Sequence, residues 1–473
     1  MSITSWSFAG FVLLVLVLYY LLPAQAQIPL LLVGSYAFCL LLGVEFVIVL
    51  VLLTLAGFWI GRRLEHRDDS ARPWLWTGIA LNLLALAFFK YADFFVPRLT
   101  AFLTYIGLPA SVGGLQILLP IGLSYYTLQS ISYLVDVYQG KSVPTADLVG
   151  FALYMAYFPR LVAGPIERAG EFLGQLARPR IVDNGVVTRS LSLILIGLVR
   201  KLVVADVLAS LIPAQAFRAP AQYSAPQLAG WLVALVFSIY NDFAGYTSLV
   251  RGVSGLFGIE LSSNFNLPFF SRSFAELWTR WHITLSQWLR DYIYYPISRR
   301  MLRRDPSGEA AATLFLPPLA TMLASGLWHG AYLGMLTWGA VNGVFMGVER
   351  AISLARPSLP LDRQPAWRQW AGRVLVFTLV TLSLVPFRTS PGTSLQFFRQ
   401  LLTWKAAVVP DWRLLIPIGL GSFIDWSQFL GQDELAFLRW PRWAQAGLLA
   451  LAVLCLFLVS WVDIGAPFIY QEF

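Results

Sequence analysis

Residues 28–60 read IPLLLVGSYAFCLLLGVEFVIVLVLLTLAGFWI, a run of 33 residues that contains one charged side chain, Glu45. A single helix of that length would measure about 50 Å, because each residue adds about 1.5 Å. The hydrocarbon core of a bilayer is only about 30 Å thick. The stretch therefore predicts two membrane-spanning helices that are separated near Gly43-Val44-Glu45.

The composition of the whole chain also indicates a membrane protein. Of its 473 residues, 58% are hydrophobic and 12% are charged, about half the charged share of a typical soluble protein. A single water-soluble core stops growing at about 250–300 residues and cannot bury this much apolar surface. We therefore predict an all-α, polytopic integral membrane protein with one domain over residues 1–473.

The apolar segments predict about eleven transmembrane helices, together with re-entrant and interfacial helices. Besides the two spans above, candidate spans lie at residues 6–22, 74–95, 117–137, 189–212, 228–250, 310–327, 331–348, 374–387, 414–423 and 444–461. Clusters of arginine at residues 61–73, 159–189 and 298–305 mark cytoplasmic loops by the positive-inside rule. This rule accounts for the net charge of +9 without a nucleic-acid partner.

Several common kinds of site lack their sequence signatures. Cys39 and Cys455 both lie in apolar runs, so they form neither a disulfide framework nor a zinc pattern. The chain contains no GxxxxGK[ST] phosphate loop, GxGxxG, HExxH or GxSxG motif. Nucleotide hydrolysis, a Rossmann cofactor, zinc proteolysis and serine hydrolysis are therefore disfavoured, and we expect no metal site and no bound cofactor.

Histidine is rare in this chain, with three residues in 473. His66 lies in an arginine-rich loop, where solvation explains it. His329 lies in the sequence ASGLWHGA at residues 324–331, at the end or in the middle of an apolar run. The glycines Gly326, Gly330 and Gly334 recur every four residues, and Gly339, Gly343 and Gly347 repeat the pattern. Such rows indicate close helix packing, which either buries His329 structurally or holds its imidazole rigidly for proton transfer.

The third histidine lies in the sequence WTRWHITLSQWLRDYIYYP at residues 278–296. His282 shares one face of a predicted helix with two neighbouring tryptophans, Trp278 and Trp281, and with the apolar residues that follow. Tryptophan and tyrosine at this density are typical of a membrane interface. One interpretation is an interfacial helix whose histidine caps a neighbouring helix, and the other is a functional imidazole.

Two further polar segments interrupt the apolar chain. Asp242 lies in NDFAGY at residues 241–246, where a carboxylate near the membrane needs a partner, for which an arginine is the natural choice. Residues 119–138 are rich in hydroxyl groups and are interrupted by Pro120 and Gly122. Such a segment suits the wall of a polar cavity, but it also occurs in transporters.

Together these segments resemble the membrane-bound O-acyltransferase family, and within it the branch that acetylates bacterial polysaccharides such as alginate. The matching stretches are residues 119–140, 157–168, 241–246, 264–268, 274–296 and 325–331, so the resemblance covers about residues 119–348. The motif W-x-R-W-H followed by L-W-H-G is its most specific part. The resemblance implies the fold of that family, with re-entrant and interfacial helices around a central tunnel.

The resemblance also implies a set of site residues. The second histidine of the pair, His329, corresponds to the catalytic residue of the family, and His282 corresponds to its assisting residue. Ser325 lies one helical turn before His329 and is a candidate supporting group, as is Asp242 as an orienting carboxylate. Arg280 and Arg290 are candidate contacts for the phosphates of the acyl donor, although contact with lipid headgroups is the favoured explanation of each arginine.

The expected activity is transfer of an acetyl group from cytoplasmic acetyl-CoA across the inner membrane of a bacterium. The expected acceptor is an exopolysaccharide or cell-wall glycan, reached through an extracytoplasmic acetyltransferase of the SGNH type. An alternative is transfer of D-alanine from an acyl-carrier protein to teichoic acid, as in related members of the family. A polymer or acyl transporter is a third hypothesis. Transporters often contain inverted repeats, and the lack of one in this sequence disfavours the hypothesis.

Overall fold

The structure, a computed structural model, describes residues 2–65, 70–107, 119–356, 359–403 and 411–460; His66 lies outside these ranges. Within them all regular elements are helical, apart from one β-bridge between Phe265 and Trp281. Seven helical segments in this part of the chain are long and apolar enough to cross a membrane: Val44–Arg63, Ala71–Ala92, Ala225–Gly255, Ala311–His329, Ala366–Arg388, Trp412–Gly431 and Arg442–Ser460. The predicted all-α, multi-pass class is confirmed, whereas the number eleven stays a prediction.

The chain forms two compact units, and each is described by itself. The first contains Met1–Ser190 and Val253–Ser262, and the second contains Leu191–Gly252 and Ser263–Phe473. The single integral-membrane domain stays a prediction. The helices of the first unit are α1 (Trp6–Leu21), α2 (Ala24–Leu40), α3 (Val44–Arg63), α4 (Ala71–Tyr105), α5 (Leu123–Tyr138), α6 (Leu148–Ala156) and α7 (Ala169–Leu176).

Helices α8 (Asn184–Leu198) and α11 (Ala225–Gly255) each contribute residues to both units. The other helices of the second unit are α9 (Val207–Leu211), α10 (Gln215–Arg218), α12 (Phe274–Trp278), α13 (Ile283–Leu289), α14 (Tyr295–Arg304), α15 (Ala311–His329), α16 (Leu333–Ala355), α17 (Ala366–Arg388), α18 (Pro391–Leu402), α19 (Leu415–Gly431) and α20 (Arg442–Ser460). Two π-helical turns, Val199–Asp206 and Arg290–Tyr294, follow α8 and α13. Short 3-10 turns lie at Pro220–Gln222, Pro268–Phe270, Leu361–Arg363, Trp412–Leu414 and Ala436–Arg439.

Two predicted interruptions are confirmed in the first unit. Helix α2 ends at Leu40 and α3 begins at Val44. The long apolar run is therefore divided into two helices near Gly43, as its length predicts. Gly122 precedes α5 with a φ of +80°, and a Cβ at this position would overlap the carbonyl oxygen of Leu161. Only glycine meets both conditions without strain. The hydroxyl-rich residues of α5 are mostly buried in the packed interior of this unit.

Helices α15 and α16 form an antiparallel hairpin in the second unit, and glycine lets their backbones approach closely. A Cβ on Gly339 would overlap the carbonyl oxygen of Met322, and one on Gly343 would lie 2.7 Å from the Cα atom of Leu319. The second predicted row, which also contains Gly347, therefore faces α15 as expected. This contact fixes the position of the end of α15, where His329 lies.

The first predicted glycine row does not lie along one helix. Gly326 is in α15 and Gly334 is in α16, while Gly330 has an extended backbone and connects the two helices. The prediction of a single helical row was wrong, because the chain reverses direction directly after His329. Gly326 and Gly334 still allow close approach, since added Cβ atoms would overlap the carbonyl oxygens of Met335 and Pro386, respectively.

A glycine substitution tests the hairpin. We expect Gly339→Ala to destabilise the protein by about 1–3 kcal/mol, because the added methyl group overlaps the backbone of α15. Gly419→Ala is a matched control, since Gly419 is also helical and has no atom within 4 Å of an added Cβ. The measurement is the apparent melting temperature of the purified chain in detergent. Equal melting temperatures for the two variants would contradict this account of the hairpin.

Candidate active site

His282 lies at a break between two short helices. Helix α12 ends at Trp278 and α13 begins at Ile283, so the continuous interfacial helix predicted over this motif was wrong. His282 has a left-handed backbone, with φ of 42° and ψ of 54°. Such a conformation costs a residue other than glycine roughly 1–2 kcal/mol, so the contacts around His282 must impose it.

His329 is the last residue of α15, and its side chain is buried. Its ring centroid lies 4.9 Å from that of Trp328, and the rings of Trp338 and Phe387 are each 5.5 Å away. The same Trp328 ring lies 5.9 Å from the ring of His282. One indole therefore contacts both imidazoles, and aromatic side chains hold His329 in a defined orientation.

Both histidines line one cavity of about 270 Å³ in the second unit. This volume is close to the lower limit for small-molecule sites. Ser325 and Arg290 line the same cavity, so four of the six predicted site residues are brought together. The remaining wall is largely aromatic and aliphatic, and includes Trp278, Trp281, Trp338, Thr321 and Met322.

The other two predicted site residues lie elsewhere. Asp242 is buried and pairs with Lys201 at 2.7 Å, and the same ammonium group lies 2.7 Å from Asp206. The partner of Asp242 is therefore a lysine and not the expected arginine. Lys201 lies in the π-helical turn after α8, and Asp242 lies in α11. Asp242 does not line the histidine cavity, and its ion pair gives it a clear structural role.

Arg280 faces a separate, polar cavity of about 340 Å³. Its guanidinium group donates to a carboxylate oxygen of Glu276 at 3.0 Å and to the carbonyl oxygen of Asn266 at 3.1 Å. Arg290, in contrast, lies at the wall of the histidine cavity and pairs with its neighbour Asp291 at 3.0 Å. The two arginines therefore lie on different cavities, which sequence spacing does not reveal.

Burial controls the charge of His282. Removal from solvent lowers the pKa of its imidazole from the ordinary value of 6.5 to about 3, because the charged form loses hydration. His282 is therefore neutral at physiological pH. Its ring can then accept one proton or donate one hydrogen bond, but it carries no fixed positive charge into the cavity.

The sequence did not reveal several groups that form this site. Trp328 was visible as part of the motif, but its contact with His282 joins two segments that are distant in sequence. Asn264 was noticed only as part of a matching stretch, yet it is fully buried and hydrogen-bonds to the residues that follow His282. In the described part of the chain, no three histidine, cysteine or acidic residues are grouped as metal ligands.

Known proteins match this chain over most of its length. The profile of the MBOAT, membrane-bound O-acyltransferase family matches residues 144–383. A Pseudomonas aeruginosa protein named "Probable alginate O-acetylase AlgI" is 37% identical over 378 residues, which are 78% of this chain and 68% of that protein. The peptidoglycan O-acetyltransferase of Helicobacter pylori is 27% identical, over 78% of this chain and 73% of its own length. The teichoic acid D-alanyltransferase of Streptococcus thermophilus is also 27% identical, over 59% of this chain and 70% of its own length.

The lowered pKa of His282 predicts a pH dependence of stability. The unfolded imidazole binds a proton below about pH 6.5, whereas the folded one stays neutral until about pH 3. The unfolded state is therefore favoured as the pH falls between these values, and stability decreases by roughly 2 kcal/mol between pH 6.5 and 4.5. His282→Gln removes this contribution, so we expect its apparent melting temperature to fall less than that of the wild type. Parallel pH curves for the two proteins would contradict the burial of a neutral imidazole.

Proposed function

The chain belongs to the membrane-bound O-acyltransferase family and is an O-acyltransferase, and we propose that it transfers an acetyl group from cytoplasmic acetyl-CoA to a hydroxyl acceptor across the membrane. The observation that carries this proposal is the placement of His282 and His329 on one small, largely apolar cavity. A largely aromatic and aliphatic wall favours acyl transfer over hydrolysis of the thioester, because it offers water few hydrogen-bond partners.

In the proposed reaction, His329 acts as the general base. Its imidazole accepts the proton of the acceptor hydroxyl while the hydroxyl oxygen attacks the carbonyl carbon of the thioester. A C–O bond forms, the tetrahedral intermediate collapses, and the C–S bond breaks. The imidazolium then returns its proton to the departing thiolate, so the enzyme is regenerated and the products are an ester and a free thiol.

The developing oxyanion needs hydrogen-bond donors, because a negative charge in this apolar cavity is otherwise costly. His282 is neutral and can donate one ring N–H, and the hydroxyl group of Ser325 is a second candidate donor on the same cavity. Asp242 has no part in this scheme, because its carboxylate forms an ion pair with Lys201.

We infer that the donor approaches the cavity past Arg290. This residue begins the π-helical turn Arg290–Tyr294, which leads into α14. Helix α14 carries Arg299, Arg300, Arg303 and Arg304. By the positive-inside rule these arginines lie on the cytoplasmic side, where acetyl-CoA is available. The guanidinium group of Arg290 is partly exposed and can contact a phosphate of the donor. Arg280 remains a weaker candidate, because its groups are held by Glu276 and Asn266.

The names of the relatives suggest the acceptor. Alginate and peptidoglycan are both polysaccharides with free hydroxyl groups, so an exopolysaccharide or cell-wall glycan of a bacterium is the proposed end acceptor. We further propose that an extracytoplasmic acetyltransferase of the SGNH type receives the acetyl group first and that the chain resides in the inner membrane.

Transfer of D-alanine is the alternative that a specific observation favours. The match to a teichoic acid D-alanyltransferase covers 59% of this chain, and the same base and cavity would serve a D-alanyl thioester. The greater identity to the alginate O-acetylase favours acetyl transfer. Membranes that contain the chain should incorporate label from acetyl-CoA, whereas label taken only from a charged carrier protein would support the alternative.

Substitution of the proposed base gives the first test of activity. We expect His329→Ala to reduce acetylation of polymer by about 10²- to 10⁴-fold, the usual contribution of a general base. The measurement is label transferred from acetyl-CoA to the polymer fraction of membranes that contain equal amounts of each variant. His66→Ala is the matched control and should retain activity. Wild-type acetylation by His329→Ala would rule out the proposed base.

Substitution of Arg290 tests the approach of the donor. We expect Arg290→Gln to raise the KM for acetyl-CoA roughly tenfold with little change in kcat, because one charge-assisted hydrogen bond is lost. Arg413→Gln is the control, since Arg413 is exposed and pairs locally with Asp411. If Arg280→Gln raises KM while Arg290→Gln does not, the phosphates bind at the neighbouring cavity instead.

A further inference from the structure

The backbone of His282 is held from both sides by one segment of the chain. On the upstream side, Phe265 pairs with Trp281 in the antiparallel bridge, and the N–H of Asn266 donates to the carbonyl oxygen of Arg280 at 3.0 Å. On the downstream side, the N–H of Ile283 donates to the carbonyl oxygen of Asn264 at 2.9 Å. These contacts enclose the left-handed residue between two fixed points.

The side chain of Asn264 provides a second downstream contact. Its Oδ1 atom accepts from the hydroxyl group of Thr284 at 2.7 Å and from the backbone N–H of Thr284 at 3.3 Å. Both residues are buried, and Asn264 has no exposed surface. Bulk water therefore has no access to this oxygen in the folded chain, and Asn264 supplies the acceptor for both groups of Thr284.

These bonds have the geometry of a helix cap that is supplied from another segment. An N-cap residue normally uses its own side chain to accept from the first N–H groups of its helix. His282 is the N-cap residue of α13, but its side chain makes no such bond. Asn264 instead accepts from the first two residues of the helix, Ile283 and Thr284. His282 itself lines the cavity.

We propose that Asn264 is a positioning residue: it caps α13 in place of His282 and fixes the backbone that directs the imidazole into the cavity. Thr284 is the partner through which its side chain acts. This inference rests on the proposed function for its catalytic consequence, but not for its structural one. Two experiments separate these consequences.

The structural experiment compares glycine and alanine at position 282. Glycine adopts a left-handed backbone without strain, so His282→Gly should have a higher apparent melting temperature than His282→Ala, the reverse of the usual order. We expect this difference to shrink when Asn264→Ala or the milder Thr284→Val is added, because each substitution removes a side-chain contact that helps to hold the backbone. A difference that persists unchanged in both backgrounds would overturn the proposed role of Asn264.

The catalytic experiment measures label from acetyl-CoA in the polymer fraction. We expect Asn264→Ala to lower kcat by about 10- to 100-fold at nearly unchanged KM, as misplacement of a catalytic group does. Thr284→Val should show a smaller loss, and Thr284→Ser should restore activity because it retains the hydroxyl group. Thr127→Val is the control, since Thr127 is an equally buried threonine whose hydroxyl bonds within its own helix.

The outcomes of this second experiment are distinguishable. Wild-type kcat in both Asn264→Ala and Thr284→Val would overturn the positioning role while leaving the proposed function intact. Failure of the wild-type chain to incorporate any label would overturn the proposed function, and the comparison of glycine with alanine would then still test the cap. A loss in Thr284→Ser as large as that in Thr284→Val would also contradict the role of the hydroxyl group.

Discussion

Helices α15 and α16 approach each other closely because Gly339 and Gly343 have no Cβ atom, and this contact determines where α15 ends. The end of α15 is His329, so the placement of one catalytic candidate depends on the absence of side chains on the neighbouring helix. The chain then reverses through Gly330, and α16 returns with Trp338 against the imidazole. The close packing of these two backbones therefore also fixes the position of His329 in the site.

The second unit contains two kinds of buried polar group, which have different surroundings. Lys201 lies against Asp206 and Asp242, and Arg200 pairs with Asp425, so these charges compensate one another. Such pairs hold helices together in an apolar environment. The histidine cavity instead presents two imidazoles, hydroxyl groups and the side chain of Arg290 on a largely aromatic and aliphatic wall. None of the residues of these buried ion pairs lines the histidine cavity, so the paired charges lie apart from the proposed reaction space.

Much of the fold and part of the site could be predicted from local sequence. The length of the apolar run required a break before α3, Gly122 predicted another, and two histidines in apolar surroundings marked the site. The predictions that differed depended on contacts distant in sequence. The left-handed backbone of His282 is imposed by Asn264, 18 residues earlier. The partner of Asp242 is Lys201, which lies in a π-helical turn. No sequence pattern predicted that turn.

The central claim is that acyl transfer occurs between the two histidines of one cavity. A structure of the full chain in a lipid nanodisc with a non-hydrolysable ketone analogue of acetyl-CoA tests it most directly. We expect that the carbonyl carbon lies inside the cavity and that a site for the attacking oxygen about 3–3.5 Å from it is within hydrogen-bond reach of His329. A carbonyl group bound outside this cavity, beside Arg280 or among lipid-facing helices, would contradict it.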